Sequence, residues 1–212
     1  MKKKTWIRLG LVAVLLAGLP WLFLRTVRST IAEPYAVDMN TLAGWTLAVQ
    51  EAHRSPALVT LEPPSGLVPT LFQQLFHRTM ESMTTPAQPA MPVVLQREFA
   101  AVLREVISAA EILEAARAAG LEDAHLSPVC MATKREASGG RMRQLYFVVF
   151  EALAYTRFRE ELARLYRERG GRSRFDPTAL ELVLPIASSD ADFFGWWPLD
   201  VDREADCRAP LA

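Results

Sequence analysis

Cys130 and Cys207 are the only two cysteines of the chain. Both follow a basic, apolar N-terminal segment that directs the rest of the chain out of the cytoplasm, where disulfides persist. An intramolecular Cys130–Cys207 disulfide is therefore expected. It would tie a C-terminal tail without regular periodicity to a strand, and such a tail frays unless held. Two free thiols, or an intermolecular bridge through Cys207, are the other arrangements open to the pair.

No other residues assemble into a readable catalytic set. His53, His77 and His125 fall in a turn, on a polar helix face and in a loop. His77 and Glu81 stand four apart and could share a metal on a helix, but neither HExxH nor a zinc-spaced Cys/His cluster accompanies them. Gly-x-Ser-x-Gly, P-loop and Gly-x-Gly-x-x-Gly patterns do not occur, and Ser65, Ser138 and Ser173 sit in turn contexts. Glu160 and Glu161, adjacent on a helix, point about 100° apart. Asp200, Asp202, Glu204 and Asp206 alternate as in a calcium loop, but Ala205 stands where that loop needs glycine and Leu211 where it needs glutamate. The reading is no catalytic residue, no resident metal and no cofactor.

The most unusual stretch is Asp192-Phe193-Phe194-Gly195-Trp196-Trp197-Pro198, with four aromatics outside any regular element. Phe193, Phe194, Trp196 and Trp197 either clamp the tail over the core or form a docking patch for a partner, a glycan or the membrane interface. Trp196 and Trp197 exposed beside a cleft would be the stacking platform of a small-ligand or glycan binder.

Charge narrows the partners. The formal net charge of zero conceals blocks: residues 1–28 carry six cations and no acid, and 29–131 carry five arginines against eleven acids. Residues 132–175 carry eleven cations against five acids, and 176–212 two arginines against eight acids. Without an overall positive excess, nucleic acid is not the expected partner. The arginines at 157, 159, 164, 167, 169, 172 and 174 read as the charged outer face of a helix, attracted to anionic headgroups or to the acidic tail.

Leu9 to Leu24 is an uncharged run of sixteen residues, about 24 Å as a helix against a bilayer core of about 30 Å. Trp6, Ile7 and a snorkelling Arg8 extend it to cover residues 6–24. Trp6 and Trp21 lie near its ends, where indoles favour the interface. Lys2, Lys3, Lys4 and Arg8 precede the run, which leaves the N-terminus in the cytoplasm and the rest across the membrane. Thr30-Ile31-Ala32 is a small-x-small site for a cleaved signal, but it lies eight residues past the apolar core with Arg25 and Arg28 between. An uncleaved anchor is the preferred reading, and a secreted product of cleavage the other.

The elements that must position these residues follow from periodicity. Trp45, Leu47 and Val49 alternate as on a half-buried strand, and Ala57–Glu62 is a second β-prone run after a polar turn. Leu71, Phe72, Leu75, Phe76, Met80 and Met83 form the apolar stripe of a helix over 69–83. A second helical region covers 96–119, with a capping box at Ser108 and Glu111 that divides it. Strands at 129–135 and 143–150 are joined through Ala137-Ser138-Gly139-Gly140, and the apolar run Leu145–Phe150 reads as central in a sheet. A helix over 153–169 and a strand over 180–186 complete the order, with a short extra strand at Val93–Leu95. The predicted fold is α+β, a mainly antiparallel sheet of about five strands with three or four helices. Residues 1–32 form the stub, anchor and linker, and 33–212 one extracytoplasmic domain with an irregular aromatic and acidic tail, 187–212. The expected function is binding: a membrane-anchored domain of a cell-envelope assembly, whose partners are the membrane and an envelope protein. The alternatives are the small-ligand or glycan binder and a hydrolase without a readable motif.

Overall fold

The computed structural model describes residues 33–38, 42–51, 55–138 and 140–212. The anchor expected at residues 6–24, the rest of 1–32, and His53 lie outside the described residues. Among those described, no helix is long and apolar enough to cross a membrane, and Tyr35–Ala212 forms one compact unit.

Seven strands and five α-helices are described: β1 (Thr46–Val49), β2 (Ala57–Glu62), α1 (Leu67–Thr79), β3 (Met91–Leu95), α2 (Gln96–Ala101), α3 (Ala109–Ala118), β4 (Ser127–Ser138), β5 (Arg141–Glu151), α4 (Leu153–Glu168), β6 (Leu182–Ser188), α5 (Arg203–Asp206) and β7 (Cys207–Pro210). The class is α+β, as expected, but the strands form two antiparallel sheets, ordered β1-β2-β3 and β6-β5-β4-β7. The expectation of one sheet of about five strands is corrected. Its physical reason lies where the sheets adjoin. Edge strands β3 and β6 pack against each other without forming a ladder, and each carries a proline, Pro92 and Pro185. A proline has no N–H to donate to a neighbouring strand.

The apolar run of β5 is explained by burial on both faces. Tyr146, Val148 and Phe150 join a core shared with α1, α3, α4 and both sheets. Leu145, Phe147 and Val149 face the other way, with Cys130 and Ala132 of β4 and Val183 of β6. The tail covers this second face, contributing Trp196 and Leu199, with Phe193, Trp197 and Val201 packed beside them. Residues 187–212 are thus not irregular throughout, which corrects the second expectation. After a 3-10 turn at Phe194–Trp196, Asp202 caps α5 through Oδ1, which accepts from the N–H groups of Glu204 and Ala205 at 3.0 and 3.2 Å. The chain then enters β7, which pairs with β4.

The four-stranded sheet is extended past β7 by Tyr35–Val37. Tyr35 N donates to Pro210 O at 3.0 Å, Ala212 N to Tyr35 O at 2.9 Å, and Val37 N to Ala212 O at 2.8 Å. Gln74 of α1 clamps the same segment: its Nε2 donates to Ala36 O at 2.8 Å and its Oε1 accepts from Ala36 N at 2.9 Å.

Local signals explain the helix ends. Gly66 precedes α1 at φ 102°, and Met80 ends it at φ 54° with its N–H on Phe76 O. The capping box at α3 is present: Ser108 Oγ accepts from Glu111 N at 3.3 Å, and Glu111 Oε2 accepts from Ser108 N at 2.8 Å. The Ser108 N–H, then its hydroxyl, then Arg169 hold the Glu111 carboxyl down at about 2. On the open edge of β1, Glu122 Oε1 accepts from Leu47 N at 2.9 Å. A carboxylate placed there satisfies an edge donor and discourages pairing with another chain.

The arginine-rich helix α4 is not charged on one face only. Arg159 is 1% exposed. Its Nη2 and Nη1 donate to Glu98 Oε1 and Oε2 of α2 at 2.7 and 3.1 Å. Nη2 also donates to Asp176 O at 3.0 Å and Nε to Pro177 O at 3.2 Å. Arg164 pairs with Glu161 and Glu168, Arg169 beyond the helix end pairs with Glu111 of α3, and Arg167 Nε donates to Ala163 O at 3.2 Å. The acidic tail is held elsewhere, through Lys134 Nζ on Asp206 Oδ2 at 2.9 Å. Arg203 pairs with Glu151 and Glu181.

Candidate ligand cleft

The junction of the two sheets and the tail encloses a cleft of about 460 Å³. From the three-stranded sheet come Ala57, Thr60, Glu62 and Pro92, from the turn between β1 and β2 Gln50, Ser55 and Pro56, and from the loop before β3 Pro86, Ala87, Gln88 and Ala90. Pro185 of β6 and Ala191, Asp192, Phe193 and Trp197 of the tail complete it.

Strand alternation places the polar residues. In β2, Val59 and Leu61 turn to the core, which sends Thr60 and Glu62 to the opposite side, toward the cleft. Thr60 Oγ1 accepts from Gln50 Nε2 at 3.1 Å and donates to Ala48 O at 3.4 Å. The same amide reaches Glu62 Oε1 at 3.4 Å. Gln50 itself is fixed by its N–H on Leu58 O at 2.8 Å and by Gln96 Nε2 on its carbonyl at 3.0 Å. Among the described residues Glu62 takes part in no ion pair, and no lysine, arginine or histidine lines the cleft.

The aromatic side depends on one turn of the tail. Asp190 Oδ1 accepts from Asp192 N at 3.2 Å and from Ser188 Oγ at 2.6 Å. Asp192 Oδ1 accepts from Gly195 N at 2.9 Å. A Cβ on residue 195 would lie 2.3 Å from Asp192 Oδ2, so any larger residue there would push the Asp192 carboxylate aside. Arg143 of β5 locks the turn: its Nη2 donates to Gly195 O at 3.0 Å and to Glu136 Oε2 at 2.8 Å. The Glu136 contact raises the pKa of Arg143 above its ordinary value. The guanidinium lies 4.4 Å over the Trp196 ring.

The four aromatics of the expected docking patch are therefore divided. Trp196 is 3% exposed, sealed beneath Arg143, so a platform of two indoles does not form. Trp197 and Phe193 are half-buried and line the cleft. Phe194 opens the 3-10 turn, and its side chain lies outside the described residues. Compared with protein-family models, curated proteins and solved structures, the chain matches none.

The other sequence candidates do not converge here. His77 is exposed on α1, its ring beside Phe76, and His125 is exposed in the loop before β4. Neither approaches a carboxylate and a nucleophile together. No three His, Cys, Asp or Glu side chains among the described residues come together to hold a metal. Cys130 and Cys207 lie at disulfide distance, their Cα atoms 5.7 Å apart, diagonal neighbours on β4 and β7 where Ala132 faces Cys207. Gln50, Thr60, Glu62 and Gln88 were not singled out from sequence. The alternation at the end of Ala57–Glu62 was the available signal, since it sets Thr60 and Glu62 opposite Val59 and Leu61.

Proposed function

We propose that the chain is a membrane-tethered extracytoplasmic binding domain, part of a cell-envelope assembly, and that the cleft between its sheets receives a basic side chain of a partner protein. One observation carries this reading: the cleft sets two aromatic walls, Phe193 and Trp197, beside Glu62, which takes part in no ion pair among the described residues, with Asp192 at the same cleft 3.7 Å from Arg143 Nη1. Aromatic faces and a carboxylate without an ionic partner attract ammonium and guanidinium groups. A second reading is a saccharide stacked on Trp197 alone, favoured by the amide side chains of Gln50 and Gln88 at the same cleft.

The tether supports this role by confining the domain to one surface. The full-length chain is expected to stay with membranes through a carbonate wash and to begin at its original N-terminus by mass spectrometry; a mature N-terminus at Glu33 would replace the anchor by a cleaved signal.

The cleft is tested by purifying the full chain in mild detergent with the proteins that accompany it, then measuring their binding to variants. Trp197→Ala is expected to cost about 2 kcal/mol, roughly thirtyfold in Kd, as for aromatic anchors generally. Glu62→Gln keeps the shape and removes the charge. It is expected to weaken a basic partner about tenfold and to flatten the salt dependence of its binding. Weakening by Trp197→Ala alone, with Glu62→Gln silent, would favour the saccharide instead.

A further inference from the structure

We propose that the exposed apolar stripe of α1, Phe72, Phe76 and Met80, docks on the surface of the bilayer that holds the chain's own N-terminal segment. This rests on the reading of residues 6–24 as an uncleaved anchor.

Phe72 and Phe76 stand four apart and so lie along one side of α1, and Met80, the left-handed cap, follows at its end. The core side of α1 is occupied by Leu67, Val68, Leu71 and Leu75. The stripe is a further apolar strip: Phe76 is 40% and Met80 73% exposed, Phe72 is half-buried, and the rings of Phe72 and Phe76 stack at 6.3 Å. His77 and Arg78 stand in the same last turn. Glu81 follows Met80, and the stripe is thus exposed Phe and Met bordered by polar and charged groups, as on a surface that inserts at the acyl boundary while its polar groups stay with the headgroups.

Chain geometry selects lipid as the occupant. The first residues of the compact unit are seated on this helix: Gln74 makes both hydrogen bonds to Ala36, and the Arg78 guanidinium lies 3.9 Å over the Tyr35 ring. Tyr35 thus contacts α1 within one turn of Phe76. Residues 25–34 alone separate the apolar run from Tyr35, a span of at most about 40 Å when fully extended. With residues 6–24 as the anchor, a link of this length leaves the stripe within reach of the bilayer and makes docking an intramolecular event at high effective concentration. A second copy of the chain would have to be recruited.

The test uses the full chain in lipid nanodiscs with its seven methionines labelled at the ε-methyl carbon. Gadolinium is supplied either on a lipid headgroup or as a soluble chelate. Met80, with its neighbour Met83, is expected to lose most of its signal to the lipid-borne gadolinium and to be shielded from the soluble chelate. Met142, 65% exposed on β5, reports free access of the chelate to the protein. Phe76→Ser is expected to restore most of the Met80 signal against lipid-borne gadolinium while the buried Met91 and Met131 resonances stay in place, showing an intact core. A Met80 signal untouched by lipid-borne gadolinium overturns the proposal: shielding from both probes then means a protein occupant, and attack by the chelate alone means an open face. Failure of the chain to enter nanodiscs at all overturns the anchor reading first, a result distinct from an anchored chain whose α1 stays in water.

Discussion

Replacing Arg159 by methionine is expected to lower the unfolding free energy by about 3–5 kcal/mol, the range for breaking one side of a buried ion pair. The loss comes less from the missing attraction than from what stays behind. Glu98 would keep a carboxylate that is 15% exposed, with only the Leu95 N–H, donating to its Oε2 at 2.9 Å, as partner. The carbonyls of Asp176 and Pro177 would lose their donors as well, and Phe175 the guanidinium 4.6 Å over its ring. In a unit of this size the shift in melting temperature is roughly 6–20 °C. Glu98→Gln in the same background should recover part of the loss, because an amide is far less costly to leave unpaired than a charge. Thermal melts of the two single variants and the double variant, read as a cycle, check this. If Arg159→Met melts within a degree of the parent, the pair is not what joins α2 to α4.

Peptide mapping without reductant is expected to return Cys130 and Cys207 as one linked pair from a monomer. Reduction, or Cys130→Ala with Cys207→Ala, should then cost about 2–4 kcal/mol; the chain-entropy estimate for a sequence separation of 77 is about 4.5 kcal/mol. The tail is not expected to detach, since it keeps the β4–β7 ladder and the Lys134–Asp206 pair. Asp206 is buried, and its Oδ2 also accepts from Asp202 N at 2.9 Å. Alkylated free cysteines in untreated protein, or a dimer that reductant dissolves, would show the two residues used in another way.

Local elements were legible in the sequence where a local rule writes them. The β4–β5 hairpin, β2, α1 and the cap at Ser108 each appear because periodicity or a capping box lies within a few residues. Sheet membership is not local. Nothing in the run Met91–Leu95 states that it pairs with β2 rather than extending the other sheet, and Pro92 and Pro185 act only because the fold sets their strands, β3 and β6, against each other. Strand β7 has four residues and forms against β4, more than seventy positions away, so no period marks it.

The same distinction divides the candidate site. Among four aromatics outside a regular element, no pattern tells a buried ring from a lining one. Trp196 and Trp197 part company because Arg143, from β5, closes over the first. Arg159 did leave a signal: Tyr155, Phe158, Leu162, Ala163 and Tyr166 are buried on α4, and 159 falls inside that stripe at helical spacing. A row of seven arginines masked it.

The segment Tyr35–Val37 decides how a mechanical load would travel through the molecule. A pull applied to the N-terminal end of the compact unit reaches it at this segment, where three backbone hydrogen bonds with Pro210 and Ala212 and two with Gln74 share it. The C-terminal residues on which it bears are themselves joined to β4 by the β7 ladder. Tension therefore passes sideways into the four-stranded sheet before it can strain β1 or the cleft wall built on Gln50 and β2. The domain's first and last residues act together as a strain relief.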